Sequence, residues 1–338
     1  MAIGILVRRA APEEFSQVIA VCGQALGWAG GRTDEAFFRW KHEQNPFGPS
    51  PIWLAVDGDE PGRPIVGVRA MMRWRLTAPD GTSWPVVRAV DTATLPAYQG
   101  RGIFRRLTTA AVDDLTAAGV RAVFNTPNDR SRPGYLKLGW RLVGRVPVVA
   151  RLRLGPSGGP STVVALVRSR VAAERWGERT TVGVDPADAF APSGPLGRAL
   201  RSARPPRGWA TSLGVDYLRW RTGFPALACR LVTLGPGVDD GFIVFRLRRR
   251  GRLRQLSLLH TVVTPTSRRL RPAIGALMAE TGADVVLAAG SGPAASALGQ
   301  GMAPLPGAGP RLTWRPLASA TVPGRRGLAL DLGTVELF

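Results

Sequence analysis

Residues 99–106, Gln99-Gly100-Arg101-Gly102-Ile103-Phe104-Arg105-Arg106, combine glycine and arginine where a strand-like run gives way to helical periodicity. A helix begins with N–H groups that lack partners and with a partial positive charge, so phosphate oxygens bind there when the backbone can be approached. Gly100 and Gly102 permit that approach, and Arg101, Arg105 and Arg106 can neutralise phosphate charge. The chemistry suggested is pyrophosphate binding. A glycine pair alone also serves as a mere tight connection, and its weight here comes from its position before an amphipathic helix. Further on, 128–140 reads Asn128-Asp129-Arg130-Ser131-Arg132-Pro133-Gly134-Tyr135-Leu136-Lys137-Leu138-Gly139-Trp140. Taken singly, Asn128 reads as a helix cap and Tyr135 as a half-buried aromatic.

The elements that must position these residues follow from periodicity and turn chemistry. Residues 3–8 form a short first strand, and Pro12 opens an amphipathic helix with Glu13 and Glu14 at its positive end. A second short helix spans about 34–41 and ends before the turn Asn45-Pro46-Phe47-Gly48. Apolar runs at 52–56, 65–76 and 84–95, separated by Asp57-Gly58-Asp59 and Asp80-Gly81, predict an antiparallel meander. Ile103, Leu107, Ala110, Ala111, Leu115 and Ala118 then line one helical face that ends at Gly119. A strand at 122–125, a short helix and a final strand at 140–154 complete the first half, and the Gly- and Pro-rich 155–160 begins a linker. One helix is expected between there and about 209.

The second half echoes the first. Leu218-Arg219-Trp220-Arg221 repeats the pattern Phe38-Arg39-Trp40-Lys41, and each is followed by strand-like runs, here 230–234, 242–248 and 253–263. A helix at 265–281 and a strand at 284–289 come next, which points to a degenerate tandem duplication. Where the glycine turn should recur, the chain reads Val262-Val263-Thr264-Pro265-Thr266-Ser267-Arg268-Arg269, without glycine.

With strand, glycine turn, helix, strand and second helix in order, 91–140 resembles the GNAT superfamily of N-acetyltransferases. Gln99, Arg101 and Gly102 fit that family's pyrophosphate motif, while Phe104 stands where it has Gly or Ala, so the approach of the diphosphate should differ. Asn128, Ser131, Tyr135 and Gly139-Trp140 fit its second motif. The resemblance implies an α/β (α+β) fold of two GNAT-like domains, each a mixed, largely antiparallel twisted sheet flanked by helices. It implies a catalytic domain over 1–154, a connection over 155–210, and a degenerate domain over 211–338 that shapes the acceptor site. It also implies acetyl-CoA, or another short acyl-CoA, held by Gln99, Gly100, Arg101, Gly102, Ile103, Phe104, Arg105, Asn128 and Ser131. Backbone groups near Thr92 and Thr94 would take the pantetheine and thioester, and Tyr135 would protonate the departing thiolate.

The acceptor implied is an amine of a small molecule. An amine of pKa near 10.4 costs roughly 4–5 kcal/mol to deprotonate at neutral pH, so a base is expected. Asp91 is the nearest carboxylate on the strand, although its spacing from Thr92 and Thr94 puts it on the opposite face unless a bulge intervenes. His42, Glu43 and His260 are weaker candidates with ordinary structural alternatives, and some tandem acyltransferases of this layout use a terminal carboxylate, here at Phe338.

Composition bounds the rest. The 338 residues suffice for two cores, and the 45% hydrophobic and 20% charged content is that of a globular chain. The net charge of +21 is arginine, since Lys41 and Lys137 are the only lysines. It reads either as genomic codon bias or as attraction for an anionic partner. No zinc spacing or RNP-like motif supports a nucleic-acid reader, except tRNA if the chain were an aminoacyl-tRNA-dependent (Fem-like) transferase, and the glycine turn weighs against that class. A third reading is a non-catalytic acyl-CoA-binding module. Cys22 and Cys229 lack metal-type spacing, so no metal is expected. No stretch of 18 apolar residues and no signal-like N-terminus is present, which predicts a cytoplasmic protein without membrane contact.

Overall fold

The computed structural model describes residues 4–28, 31–153, 171–190, 196–203, 205–236, 240–264, 270–289, 301–317, 323–324 and 327–336. Residues 154–170, 265–269 and Phe338, on which parts of the linker, a helix start and a candidate carboxylate were expected, lie outside them. Two compact units divide the chain. The first holds 1–76, 83–143 and 311–322, and the second holds 77–82, 144–310 and 323–338.

In the first unit, β1 (Ile5–Arg9), α1 (Phe15–Leu26) and α2 (Arg32–His42) precede the meander β2 (Ile52–Asp57), β3 (Ile65–Thr77) and β4 (Ser83–Thr94). Then come α3 (Ile103–Ala117), β5 (Ala122–Asn125), α4 (Arg132–Lys137) and β6 (Arg141–Arg145). A distant strand, β14 (Arg311–Pro316), enters the same sheet, whose order is β1-β2-β3-β4-β5-β14-β6. Three pairings are antiparallel, β1 with β2, β2 with β3, and β14 with β5, whereas β4 and β5 are parallel. The crossover such a parallel pair requires is supplied by α3.

α2 carries Asp34 and Glu35 in its first turn and Arg39, Lys41 and His42 in its last, the arrangement that complements the helix dipole. α3 buries Ile103, Leu107, Thr108, Ala111, Val112 and Leu115. Its four large aliphatic side chains contribute roughly 1.5–3 kcal/mol each by leaving water. Ala118, expected on that face, is exposed because the helix stops one residue earlier and Gly119 turns the chain at φ 73°.

The second unit contains β7 (Val148–Leu152), α5 (Pro186–Ala189), α6 (Leu196–Ser202), β8 (Ala210–Thr211), α7 (Val215–Thr222) and β9 (Arg230–Thr233). It continues through β10 (Gly241–Arg250), β11 (Leu253–Val263), α8 (Leu270–Glu280), β12 (Val285–Ala289), β13 (Ala303–Pro304) and α9 (Leu332–Val335). Its sheet runs β13-β7-β12-β11-β10-β9 over a core that includes Ile243, Phe245, Leu256, Ile274, Leu277 and Val286. The three-residue parallel pairing of β4 with β5, Val86–Arg88 against Ala122–Phe124, has its counterpart in Gln255–Ser257 of β11 against Val285–Leu287 of β12. His260 thus stands three residues past its pairing, as Asp91 does.

The single strand expected over 140–154 is two strands in different sheets. β6 stays in the first sheet, while β7 pairs antiparallel with β12 in the second, so the first unit closes with β14 rather than at 154. The described part of the connecting segment is not a free linker either. Glu174, Glu178 and Val184 donate backbone hydrogen bonds to Arg249, Leu247 and Leu231, which ties 174–184 to the second sheet.

Candidate active site

The parallel pairing of β4 with β5 ends at Arg88, yet β4 runs on to Thr94. The two strands part there, leaving the backbone of the last turns of β4 without β5 as its partner. Asp91 lies within this stretch at φ 39°, a left-handed conformation that marks a local irregularity in the strand. Thr94 lies at its end, and its carbonyl accepts a 3.2 Å hydrogen bond from Gln99 Nε2 that folds the following turn onto the strand.

That turn is built as its glycines suggested. Gly100 and Gly102 hold φ 76° and 74°, and no atom lies within 4 Å of a Cβ added at either, so the turn faces open space. Gly102 caps α3, and the first intrahelical bond is donated by Arg106 N to Gly102 O at 3.1 Å. The N–H groups before it point out of the helix end. Arg101 and Arg105 are exposed, with Arg101 over the Tyr98 ring at 4.9 Å. Arg106 is engaged instead by the Ile5 carbonyl at 2.6 Å.

Phe104 does not crowd this turn. Its ring lies against Gly134, where an added Cβ would come within 3.1 Å, and meets Tyr135 edge to face at 5.2 Å. The bulky residue at the departing motif position is accommodated by a glycine in α4, and Ile103 beside it is buried in the core. Tyr135 is 4% exposed and packs on Trp140 at 5.2 Å. Asn128 acts as a cap, since its Oδ1 accepts from Ser131 N at 2.9 Å and from Ser131 Oγ at 3.0 Å. Both atoms set the entry to α4.

Thr92 and Tyr135 are joined by a residue that periodicity did not single out. Arg69 of β3 is fully buried, and its Nη1 donates to Tyr135 Oη at 2.7 Å and also to Thr92 Oγ1. Arg69, Arg73 and Arg75 alternate along β3 as on a solvent face, and only the first is fully covered. An arginine amid the apolar residues Val66, Val68, Ala70 and Met71 was the available signal.

Asp91 belongs to the other face. Its carboxylate pairs with Lys41 Nζ and lies 2.7 Å from His42 Nε2, both at the end of α2. Burial opposes its ionisation, but the Lys41 ammonium and the His42 hydrogen bond outweigh that and hold it well below the usual carboxylate range. Burial also lowers the pKa of His42, despite the opposing pull of Asp91. A carboxylate so stabilised is a weak proton acceptor. The structure gives Asp91 a charge-pairing place behind the strand and does not bring it to Tyr135. Glu43 makes a surface pair with Arg39 at 3.2 Å, and His260 is bonded to Asp331 at 2.7 Å. Among the described residues no group of three or more His, Cys, Asp or Glu could hold a metal ion, and no helix is long and apolar enough to cross a membrane.

Residues 6–143 match the family model for the acetyltransferase (GNAT) domain. No curated protein matches the chain in sequence. A GCN5-related N-acetyltransferase from Kribbella flavida superposes on 94% of this chain and 72% of its own, with a TM-score of 0.59 at 15% identity. One from Anabaena variabilis covers 93% and 73%, with a TM-score of 0.60 at 13% identity. Eis1 from Mycobacterium abscessus covers 93% and 73%, with a TM-score of 0.56 at 16% identity. At such identities the likeness is one of fold. Residues 6–143, within the first unit, thus match a GNAT acetyltransferase domain, and that match supports a transferase.

Proposed function

We propose that the chain transfers a short acyl group, acetyl in the simplest case, from acyl-CoA to an amine of a small molecule by direct attack. The observation that carries this reading is the contact between Phe104 in the first turn of α3 and Tyr135 in α4. It supports a reading in which a turn suited to a diphosphate and a phenol suited to proton donation share one core cluster. The open N–H groups at Gly102–Arg105 and the charges of Arg101 and Arg105 fit the diphosphate. The edge of β4 that β5 leaves open, from beyond Arg88 to Thr94, fits the pantetheine, and one of its N–H groups would polarise the thioester carbonyl. Asn128 keeps its amide nitrogen for the same arm while its oxygen caps α4.

In the reaction the amine nitrogen bonds to the thioester carbon, the carbon–sulfur pair leaves on sulfur, Tyr135 protonates that sulfur, and the proton shed by the nitrogen returns to Tyr135 through water. The repeated order of elements supports reading the second unit as a degenerate copy without a CoA site of its own. Thiol release from acetyl-CoA, followed with the purified chain and a panel of amines, tests the proposal. Turnover with at least one amine is expected. Absence of release with every amine, together with no thermal shift on adding acetyl-CoA, refutes it.

A further inference from the structure

Arg69 raises a physical problem that packing alone does not answer. Its side chain is fully buried, its Nε and Nη2 have no hydrogen-bond partner, and no carboxylate pairs with it among the described residues. The faces of Phe104 and Tyr135, 5.3 and 5.0 Å from the guanidinium carbon, offset only part of the desolvation of a buried cation. Such a charge has a use where negative charge forms transiently.

The direction of its hydrogen bond shows where. Arginine offers only donors, so Tyr135 Oη must accept from Nη1 at 2.7 Å. The phenol's own hydrogen is thereby turned away from Arg69 and is free for another acceptor. Once that hydrogen leaves, the phenolate oxygen already carries a charge-assisted bond, in surroundings where such bonds are strong. The same Nη1 also reaches Thr92 on β4, which fixes the phenol relative to the strand.

We infer that Arg69 is the positioning residue for Tyr135: it orients the hydroxyl for proton donation and holds the negative charge left behind. This rests on the acyl-transfer reading. As the amine nitrogen bonds to the acyl carbon, the carbon–sulfur bond breaks, the Tyr135 O–H bond breaks and an S–H bond forms. Arg69 stabilises the phenolate until the proton shed by the amine nitrogen returns to it through water. Nothing is oxidised or reduced.

The test is a double-substitution cycle on the full chain, with acetyl-CoA and an amine that gives thiol release. Arg69→Met is expected to lower kcat by on the order of 10- to 100-fold, the range for losing a hydrogen bond to a charged group. KM for acetyl-CoA should stay within about threefold, because the contact acts in the transition state. In a Tyr135→Phe background the same substitution should lower kcat by less than about threefold, since no charge then forms on the ring. Arg69→Lys should restore part of the loss. Equal losses in both backgrounds, or a change confined to KM, overturn the inference while leaving acyl transfer intact. If Arg69→Met does not fold, as judged by circular dichroism, Arg69→Lys takes its place in the cycle and the same two criteria decide. A wild-type chain that releases no thiol with any amine refutes the acyl-transfer reading itself, and this inference with it.

Discussion

Gly102 is where the cofactor reading is most exposed to refutation. Two substitutions there separate shape from charge. Because its φ of 74° is one that L side chains adopt at a cost, Gly102→Ala should destabilise the fold by about 1–2 kcal/mol. It should do little to binding, since no atom lies within 4 Å of the added Cβ. Gly102→Glu carries the same backbone cost and adds a negative charge beside the expected diphosphate. At about 5 Å and an effective dielectric near 20, each like-charge pair costs about 3 kcal/mol, roughly a hundredfold in affinity. Calorimetry with acetyl-CoA at low and high salt measures the difference. The Glu variant should bind at least a hundredfold more weakly than the Ala variant, and the gap should narrow with salt as the exposed charges are screened. Equal affinities for the two variants would show that the diphosphate lies elsewhere.

Three other outcomes are expected. Tyr135→Phe should lower turnover by about 10²-fold or more while leaving acetyl-CoA affinity nearly unchanged; an equal fall in both identifies the ring as structural. Asp91→Asn strands the buried Lys41 ammonium and should cost about 3–5 kcal/mol, read as a fall in denaturation midpoint; a midpoint within error of wild type contradicts the pairing. The Asp91 carboxylate titrates lower in the folded than in the unfolded state, so its stabilisation is full above the ordinary carboxylate range and is lost as pH falls through that range and below it. His42, also lowered, adds a loss that begins as pH drops below about 6.5. Unfolding midpoints should therefore fall steadily from neutral pH into acid, and the slope in the carboxylate range should be shallower in Asp91→Asn.

Most of the elements were legible because their boundaries are written in turn chemistry. Asp57-Gly58-Asp59 marks the end of β2 and Asp80-Gly81 the turn between Thr77 of β3 and Ser83 of β4, so the apolar runs 52–56, 65–76 and 84–95 match β2, β3 and β4 within a residue, and the glycine turn sits where its left-handed angles require glycine. What escaped depends on partners that a local pattern does not name. A run such as 148–152 declares a strand but not its neighbour, so nothing in it said that β7 would join β12 while β14 joined β5. The fit of Phe104 to Gly134 brings together residues thirty positions apart, so from the sequence alone Phe104 reads as a departure with nothing to receive it. Arg69 was hidden by the opposite effect, since alternation with Arg73 and Arg75 made it look solvated until α3 and α4 covered it. Lys41 did carry a signal. In a chain whose cations are otherwise almost all arginine, one of its two lysines is the residue that meets Asp91.

The return of β14 to the first sheet has a consequence for how the protein is made. Residues 146–310 must leave the ribosome between β6 and the strand that seats beside it, so at ~5–20 residues per second the edge of β5 waits roughly 10–30 s for Trp314 and its neighbours. During that interval Phe124 lacks the indole it stacks on and β5 presents an unpaired edge. The nascent first unit therefore keeps that edge unpaired until residues 311–316 are synthesised, and a gene cut before them would yield a sheet with a missing seam.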